Sequence, residues 1–339
     1  MKISIEVARE VKKILLTEVI FVATILLASC NFSNSSSTEY TPPIEKNYES
    51  SYNPSLEALF STGIPIVDVS VENSEEINSK DLWKKAKMNI SASFCGLEDQ
   101  ALDDIQIKGR GNSSWKRFPK KPYSIKLSTK EKVLGFPKSK RYVLIANYSD
   151  KTLLRNYFVS KLGNDIYKTV WNPSFKSVHL ILNGEYRGVY LLGESIRIDK
   201  NRVNIEDISE NNDGGFIFEI NWWEGEKINF ITKKGVHISL KDPNEVDEEK
   251  LNLIKNKIQS AEDLLFSENF TDPNSSYTKF FDVDSVIDWY IMNELGKNID
   301  SPNYSSIYFY YDSKDELFHM GPNWDFDLAF GNANYTHGS

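Results

Sequence analysis

The sequence has only two cysteines, Cys30 and Cys95, and four scattered histidines, His179, His237, His319 and His337. If Cys30 is lipidated, as its sequence context suggests, Cys95 has no intrachain partner and no disulfide framework exists, so stability must come from the core. Neither a histidine–cysteine zinc site nor a Cys–His nucleophile has the company it needs, and these side chains read as structural or surface groups. Net positive charge is lacking too. At a formal −8 the chain is not built to coat nucleic acid, which requires basic surface to neutralise phosphate. There is no long uninterrupted apolar run either: Ile14 to Ala28 is broken by Thr17, Glu18 and Thr24, too short and too interrupted for a good membrane-spanning helix.

What is present is a globular composition, 40% apolar and 13% aromatic over 339 residues, enough for two domains or one bilobal unit. Lys12 and Lys13 precede the apolar segment, which ends in Leu27-Ala28-Ser29-Cys30, so residues 1–30 read as an export signal. The last four residues resemble the lipobox of bacterial lipoproteins, with Cys30 as the lipidated first residue of the mature chain; the plainer alternative is a signal peptide or uncleaved anchor with a chance cysteine. Residues 31–54, rich in Ser, Asn, Thr and Pro, suit a flexible tether. The expected product is an extracytoplasmic lipoprotein, held to the membrane through Cys30, with its folded part over 55–339.

Short β-branched runs predict strands at Pro65–Val71, Met88–Ala92, Ile105–Lys108, Tyr123–Leu127 and Tyr142–Ala146. Helical spacing follows over Thr152–Asp165, with Asp150 or Thr152 as cap. Val178–Leu182 and Tyr186–Leu192 flank Asn183-Gly184, the signature of a primed hairpin turn. Further strands are expected at Gly214–Ile220, Ile228–Ile231, His237–Leu240 and Phe318–Met320, with amphipathic helices over Glu245–Phe266 and Val283–Leu295. Val286, Ile287, Tyr290, Ile291 and Leu295 form the apolar side of the second helix. The expectation is an α+β chain with a mainly β first lobe, about 55–196, and a mixed, more helical second lobe, about 197–339.

Three groups of residues are candidates for chemistry. The loop Gly109-Arg110-Gly111-Asn112-Ser113 can cradle phosphate with backbone amides and polar side chains, or is simply a hairpin loop with two glycines. Lys126 follows on the next strand, on the Ser124 side and opposite in direction to Ile125 and Leu127, placed to neutralise phosphates; Lys120 and Lys121 precede the strand and read as surface charges or contacts to an acidic substrate. Arg155 either reaches phosphate or ties helix to loop. Thr152–Ile166 holds no glutamate; a carboxylate for Lys126 would come from elsewhere, such as Glu194 or Glu219, or Arg155 itself reaches phosphate. Near the C-terminus, Asp300 and Asn303 follow the second helix, and Asp325 and Asp327 follow the strand at Phe318. In an extended segment Asp325 and Asp327 share one side, a Mg2+ or Mn2+ site completed by Asn303 with Asp300 orienting a hydroxyl, or else a metal-free surface turn. Asp300 and Asp325 could instead flank a sugar as the carboxylate pair of a glycoside hydrolase.

Seven stretches in order carry a resemblance: KGRGNSSW (108–115), KKPYSIKL (120–127), YVLIANYSDKTLLRN (142–156), LILNGEYRGVYLLGESI (180–196), GGFIFEIN (214–221), NELGKNIDSPNYSSIYFY (293–310) and GPNWDFDLAFGN (321–332). Together they resemble the CotH family of atypical, spore-coat-type protein kinases. The resemblance implies a two-lobed kinase-like fold and ATP-dependent phosphorylation of protein serine or threonine. By position it matches Lys126 to the nucleotide lysine, Asp300 to the catalytic-loop aspartate and Asp325 to the metal-binding aspartate. Such chains usually continue further into the helical lobe than Ser339, so a shortened second lobe is expected. The rival expectation is a non-catalytic, lipid-anchored surface protein that keeps the fold.

Overall fold

The computed structural model describes residues 53–166, 170–222, 227–268, 270–272, 276–299 and 305–333. The chain divides into two compact units. Among the described residues, the first comprises the chain from residue 53 to Lys161 and Pro173–Ser195; the second takes Leu162–Asn172 and the chain from Ile196 onward. The chain therefore leaves the first unit, returns to it, and leaves again after Ser195.

The first unit is a closed barrel of seven strands: β1 (Ile66–Val71), β2 (Lys84–Ser91), β3 (Gln100–Gly109), β4 (Tyr123–Glu131), β5 (Ser139–Ile145), β6 (Phe175–Leu182) and β7 (Glu185–Glu194). Their order around the barrel is β1-β2-β3-β4-β5-β7-β6. Neighbours are antiparallel except at the seam, where β1 runs parallel to β6 with Ile66 opposite His179. Period-two alternation builds this interior. Met88, Ile90, Ile105, Ile107, Ile125, Leu127, Leu144, Val178 and Leu180 all point in and are buried, each worth about 1.5–3 kcal/mol relative to exposure. Closure leaves no sheet edge bare. The β6–β7 hairpin turns on Asn183 (φ 54°) and Gly184 (φ 81°), the two positive angles of a primed turn. His179 is buried beside this seam, its ring nitrogens bonded to Thr62 and Tyr186 at 2.8 and 2.9 Å. Two short helices, α1 (Leu56–Phe60) and α2 (Ser113–Arg117), precede β1 and β4.

Helix α3 (Arg155–Asp165) begins in the first unit. Asp150, fully buried, starts it. One carboxylate oxygen accepts the Thr152 amide and hydroxyl at 2.9 and 2.7 Å, and the other accepts the Arg155 amide at 3.0 Å. The Arg155 guanidinium closes back on the same carboxylate. Burial opposes the charge on Asp150, but these donors together hold its pKa below the usual aspartate value.

The second unit is built on a five-stranded antiparallel sheet of β8 (Phe216–Ile220), β9 (Asn229–Ile231), β10 (His237–Asp242), β11 (Ile307–Asp312) and β12 (Leu317–Met320), in the order β12-β11-β8-β10-β9. Helix α4 (Glu248–Leu265) is capped by Asp247, whose carboxylate accepts the Lys250 amide at 2.8 Å. Its Ile254, Ile258 and Ala261 pack with Phe216, Phe218, Ile238, Leu240 and Phe318 on one face of the sheet. Ile217 and Tyr308 face the other way, against Val203 and Ile205 with Trp171 and Trp324. Both faces are thus covered, and the sheet, rather than the helices, is the centre of this unit. The mainly β character expected of the first part is met by a closed barrel, and the second part, expected to be mixed and more helical, is centred on a sheet. The architecture is mixed α+β with strand predominating.

Helix α5 (Val283–Gly296) buries Ser285, Trp289, Met292, Asn293 and Gly296, while Leu295 is 54% exposed. Of the expected apolar side, Val286 and Tyr290 pack against Trp289, Ile307 and Met320, while the helix as a whole turns Ser285, Met292, Asn293 and Gly296 inward. Small residues allow this: Ser285 donates to the Asp282 carbonyl and accepts the Met320 amide of β12, and Gly296 lies against the Phe326 ring. The helix begins at Asp282, which accepts the Asp284 amide with one oxygen and meets His319 Nδ1 at 2.9 Å with the other. His319 Nε2 reaches Asp315 at 3.0 Å, and the ring stacks on Tyr310 with centroids 4.7 Å apart.

Candidate functional site

In the first unit, the glycine loop closes onto protein groups. Gly109 ends β3 and donates its amide to the Ser79 carbonyl at 2.9 Å, and the Arg110 amide goes to Pro122. A Cβ on Gly109 would lie 2.4 Å from the Trp115 ring, so glycine is required there because the indole occupies the space a side chain would need. Gly111 takes φ 83°, the left-handed region that glycine adopts without strain. Asn112 accepts Lys80 Nζ at 3.2 Å, and Lys121 Nζ reaches the Trp115 carbonyl at 2.6 Å. Ser113 begins α2. The amides of Gly109 and Arg110 serve the fold, so an anion would be met from Gly111 onward.

Lys126 is half-buried on the outer wall of the barrel, in register with Gln106 on β3 and Arg141 on β5; its neighbours Ile125 and Leu127 fill the interior. Lys120 is not the surface charge its place in the sequence suggests. Its ammonium donates to the carbonyls of Ala146 and Val189 and sits 4.4 Å from the Tyr190 ring centroid, and burial pushes its pKa down to about 8. Arg155 is held by Asp150, so helix α3 and its leading turn are tied by the arginine. Glu194, at the end of β7, is buried and accepts the Ser174 amide at 3.1 Å.

In the second unit, Asp325 belongs to a hydrogen-bonded chain. Its carboxylate accepts the Ser306 hydroxyl at 3.0 Å. The Ser306 amide donates to Glu219 at 3.0 Å, and Glu219 is paired with Lys241 at 2.9 Å and accepts the Asn221 amide group at 3.3 Å. Glu219, one of two carboxylates considered as partner for Lys126, is therefore engaged within the second unit. Asp325 and Ser306 both have φ 65°, outside the extended region. The same-side placement expected for Asp325 and Asp327 fails for that reason: the backbone turns over at Asp325, Phe326 drops against Gly296, and Trp324 packs toward Tyr308. Asp327 enters the final turn, where its carbonyl accepts Asn332 at 2.7 Å. The segment before Asp325 is fastened by Asn172, which accepts both the backbone amide and side-chain amide of Asn323 at 2.9 and 3.1 Å.

Sequence reasoning missed Ser306, Lys241 and Asn172. Alternation in Phe216-Ile217-Phe218-Glu219-Ile220 was the available signal for Glu219, since it sets a carboxylate among buried neighbours. Asp300, Asn303 and Cys30 lie outside the described residues. Among the described residues no cluster of three His, Cys, Asp or Glu is arranged to hold a metal, and no helix is long and apolar enough to cross a membrane. A lone aspartate still fits Mg2+ or Mn2+ in phosphoryl transfer, where the ion takes one or two carboxylates and completes its shell with water and substrate phosphate.

A search of the curated proteins finds no match. The family model described as CotH kinase protein matches residues 106–339, from the end of β3 through the Asp325 segment. With well over half of its length matched, this chain belongs to the CotH kinase family.

Proposed function

We propose that this chain is an ATP-dependent phosphotransferase of two-lobed, kinase-like type, acting on a serine or threonine of an exported or surface protein. The observation that carries this reading is the Lys241–Glu219–Ser306–Asp325 chain, which fixes one carboxylate in an unusual backbone conformation within the span of the family match. Holding an acidic group so firmly in a left-handed turn has a cost that a mere surface turn does not need.

In this reading Lys126, with Arg110, Asn112, Ser113 and the amides from Gly111, binds phosphate oxygens. Asp325 and Asn303 are the residues that would hold Mg2+ or Mn2+, whose chemistry is to neutralise charge on the transferring phosphate. Asp300 accepts the proton of the acceptor hydroxyl as that oxygen bonds to the γ-phosphorus and the bond to the β–γ bridging oxygen breaks, releasing ADP. Catalysis is then mostly positioning and charge neutralisation. Cys30 as lipid anchor would keep the chain beside extracytoplasmic acceptors.

Incubation with labelled ATP and Mn2+, scoring phosphate on the protein itself or on a basic acceptor, tests the reading. Asp325→Ala should reduce transfer on the order of 10²-fold or more while the unfolding midpoint stays near that of the parent. Equal transfer by both proteins removes the metal role from Asp325, and no transfer by either favours a binding protein.

A further inference from the structure

We propose that the barrel wall around Lys126 is a polyphosphate-binding surface, with Arg141 and Lys108 as additional phosphate contacts and Trp83 as the plate that positions them. The inference rests on the reading of Lys126 given above and extends it to three residues which that reading leaves out.

Alternation fixes the placement. Ile105 and Ile107 on β3, Ile125 and Leu127 on β4, and Tyr142 and Leu144 on β5 fill the interior, so Lys108, Lys126 and Arg141 are carried on the outer wall. Lys126 stands directly opposite Arg141, and Lys108 is opposite Ser124, one step along the same wall. Trp83 connects the outer two: Lys108 Nζ lies 5.0 Å and the Arg141 guanidinium 4.9 Å from its ring centroid. Both distances are within cation–π range, so a single indole restrains two long basic side chains beside the third.

Like charges directly opposite on antiparallel strands disfavour pairing, and here they concentrate on a chain whose net charge is −8. The arrangement suits a ligand with several anionic groups in a row. A guanidinium offers a planar fork that matches phosphate oxygens, and an ammonium adds a compact charge. Because Trp83 holds two of the cations in place beforehand, less side-chain freedom is lost on binding. The chemical class indicated is a linear polyphosphate, as in a nucleoside triphosphate.

The test is calorimetric titration of the full-length chain with tripolyphosphate, and separately with ATP, without divalent metal. Arg141→Gln and Lys108→Gln should each weaken tripolyphosphate about tenfold. Arg141→Lys should fall between Arg141→Gln and the parent, because charge remains but the fork is lost. Trp83→Leu should weaken binding while all three cations stay. Lys140→Gln, one residue from Arg141 on the same strand and exposed, should leave it unchanged. Unaltered thermal midpoints identify the variants that report on binding, and Lys108→Gln serves if Arg141→Gln does not fold. Absence of tripolyphosphate binding overturns the inference, as does parent-like affinity in both glutamine variants or equal competition by a glutamate-rich peptide. A chain that binds tripolyphosphate in this way yet transfers no phosphoryl group upholds the inference and removes the phosphotransferase reading; transfer that is indifferent to Arg141→Gln and Lys108→Gln does the reverse.

Discussion

His319 is buried between two carboxylates, Asp282 at the start of α5 and Asp315 in the β11–β12 turn. Burial disfavours its charge, but the hydrogen bond to Asp282 and the fields of both aspartates outweigh that and raise its pKa above the ordinary value. The hydrogen bond to His319, opposed by burial, likewise leads the lowering of Asp282. With a raised folded-state pKa, the contribution of His319 is fully present below its unfolded value of about 6.5 and is lost as pH rises through the folded value. That of Asp282 is present above about pH 4 and is lost as pH falls through its lowered value. His319→Gln should therefore cost about 2 kcal/mol near pH 6 and clearly less near pH 9. Urea unfolding of parent and variant at both pH values checks this; an equal deficit at the two would show that the pairing is not charged. Lys120 shows what sequence leaves hidden at this scale. Nothing in Lys120-Lys121-Pro122 distinguishes the lysine that turns in to two carbonyls and a tyrosine ring from its neighbour, because strand pairing far along the chain brings Ala146 and Val189 to it.

At the scale of elements, the start of α3 depends on one side chain. Asp150 supplies acceptors to Thr152 and to the Arg155 amide and neutralises the Arg155 guanidinium. Asp150→Ala should destabilise the protein by about 3–5 kcal/mol, since it strands a partly buried cation and removes the cap together. The double variant Asp150→Ala with Arg155→Leu should recover part of that loss in denaturant unfolding; no recovery would mean that the cap alone matters. The elements themselves were largely legible. Alternation and the Asn183-Gly184 turn place the β6–β7 hairpin, and α4 begins within three residues of its expected start. The buried side of α5 was legible in part from apolar count, since Val286 and Tyr290 pack against Trp289; the inward turn of Ser285 and Gly296, small enough to allow close contact, was not. Nor was the course of the chain at Asp325, where a tertiary hydrogen bond from Ser306 accompanies a conformation that alternation does not anticipate.

For the whole molecule, nucleotide binding should appear as stability. ATP with Mn2+ at 100 times Kd adds about 2.7 kcal/mol to a protein that binds it only when folded. Thermal unfolding should then shift upward by several degrees, and an unchanged midpoint at saturating ATP and Mn2+ would contradict nucleotide binding. Motifs name the candidate residues, yet how each described group is held could not be read from them. The partners of Asp325 and Glu219 come from β10, Asn221 and Ser306 before β11, and Asn323 is held by Asn172, more than a hundred positions away.

The parallel seam between β1 and β6 also governs how the chain is made. Synthesis delivers β1 to β5 first, and the hairpin that joins β5 back to β1 follows only after the chain has left the first unit and returned. Until β6 and β7 have emerged, the outer edges of β1 and β5 both lack their partners while the apolar residues of β1 to β5 are already present. A nascent chain stalled before that point presents two strand edges at once. Its expected fate is to complete the ring with the hairpin of a second copy, or to aggregate.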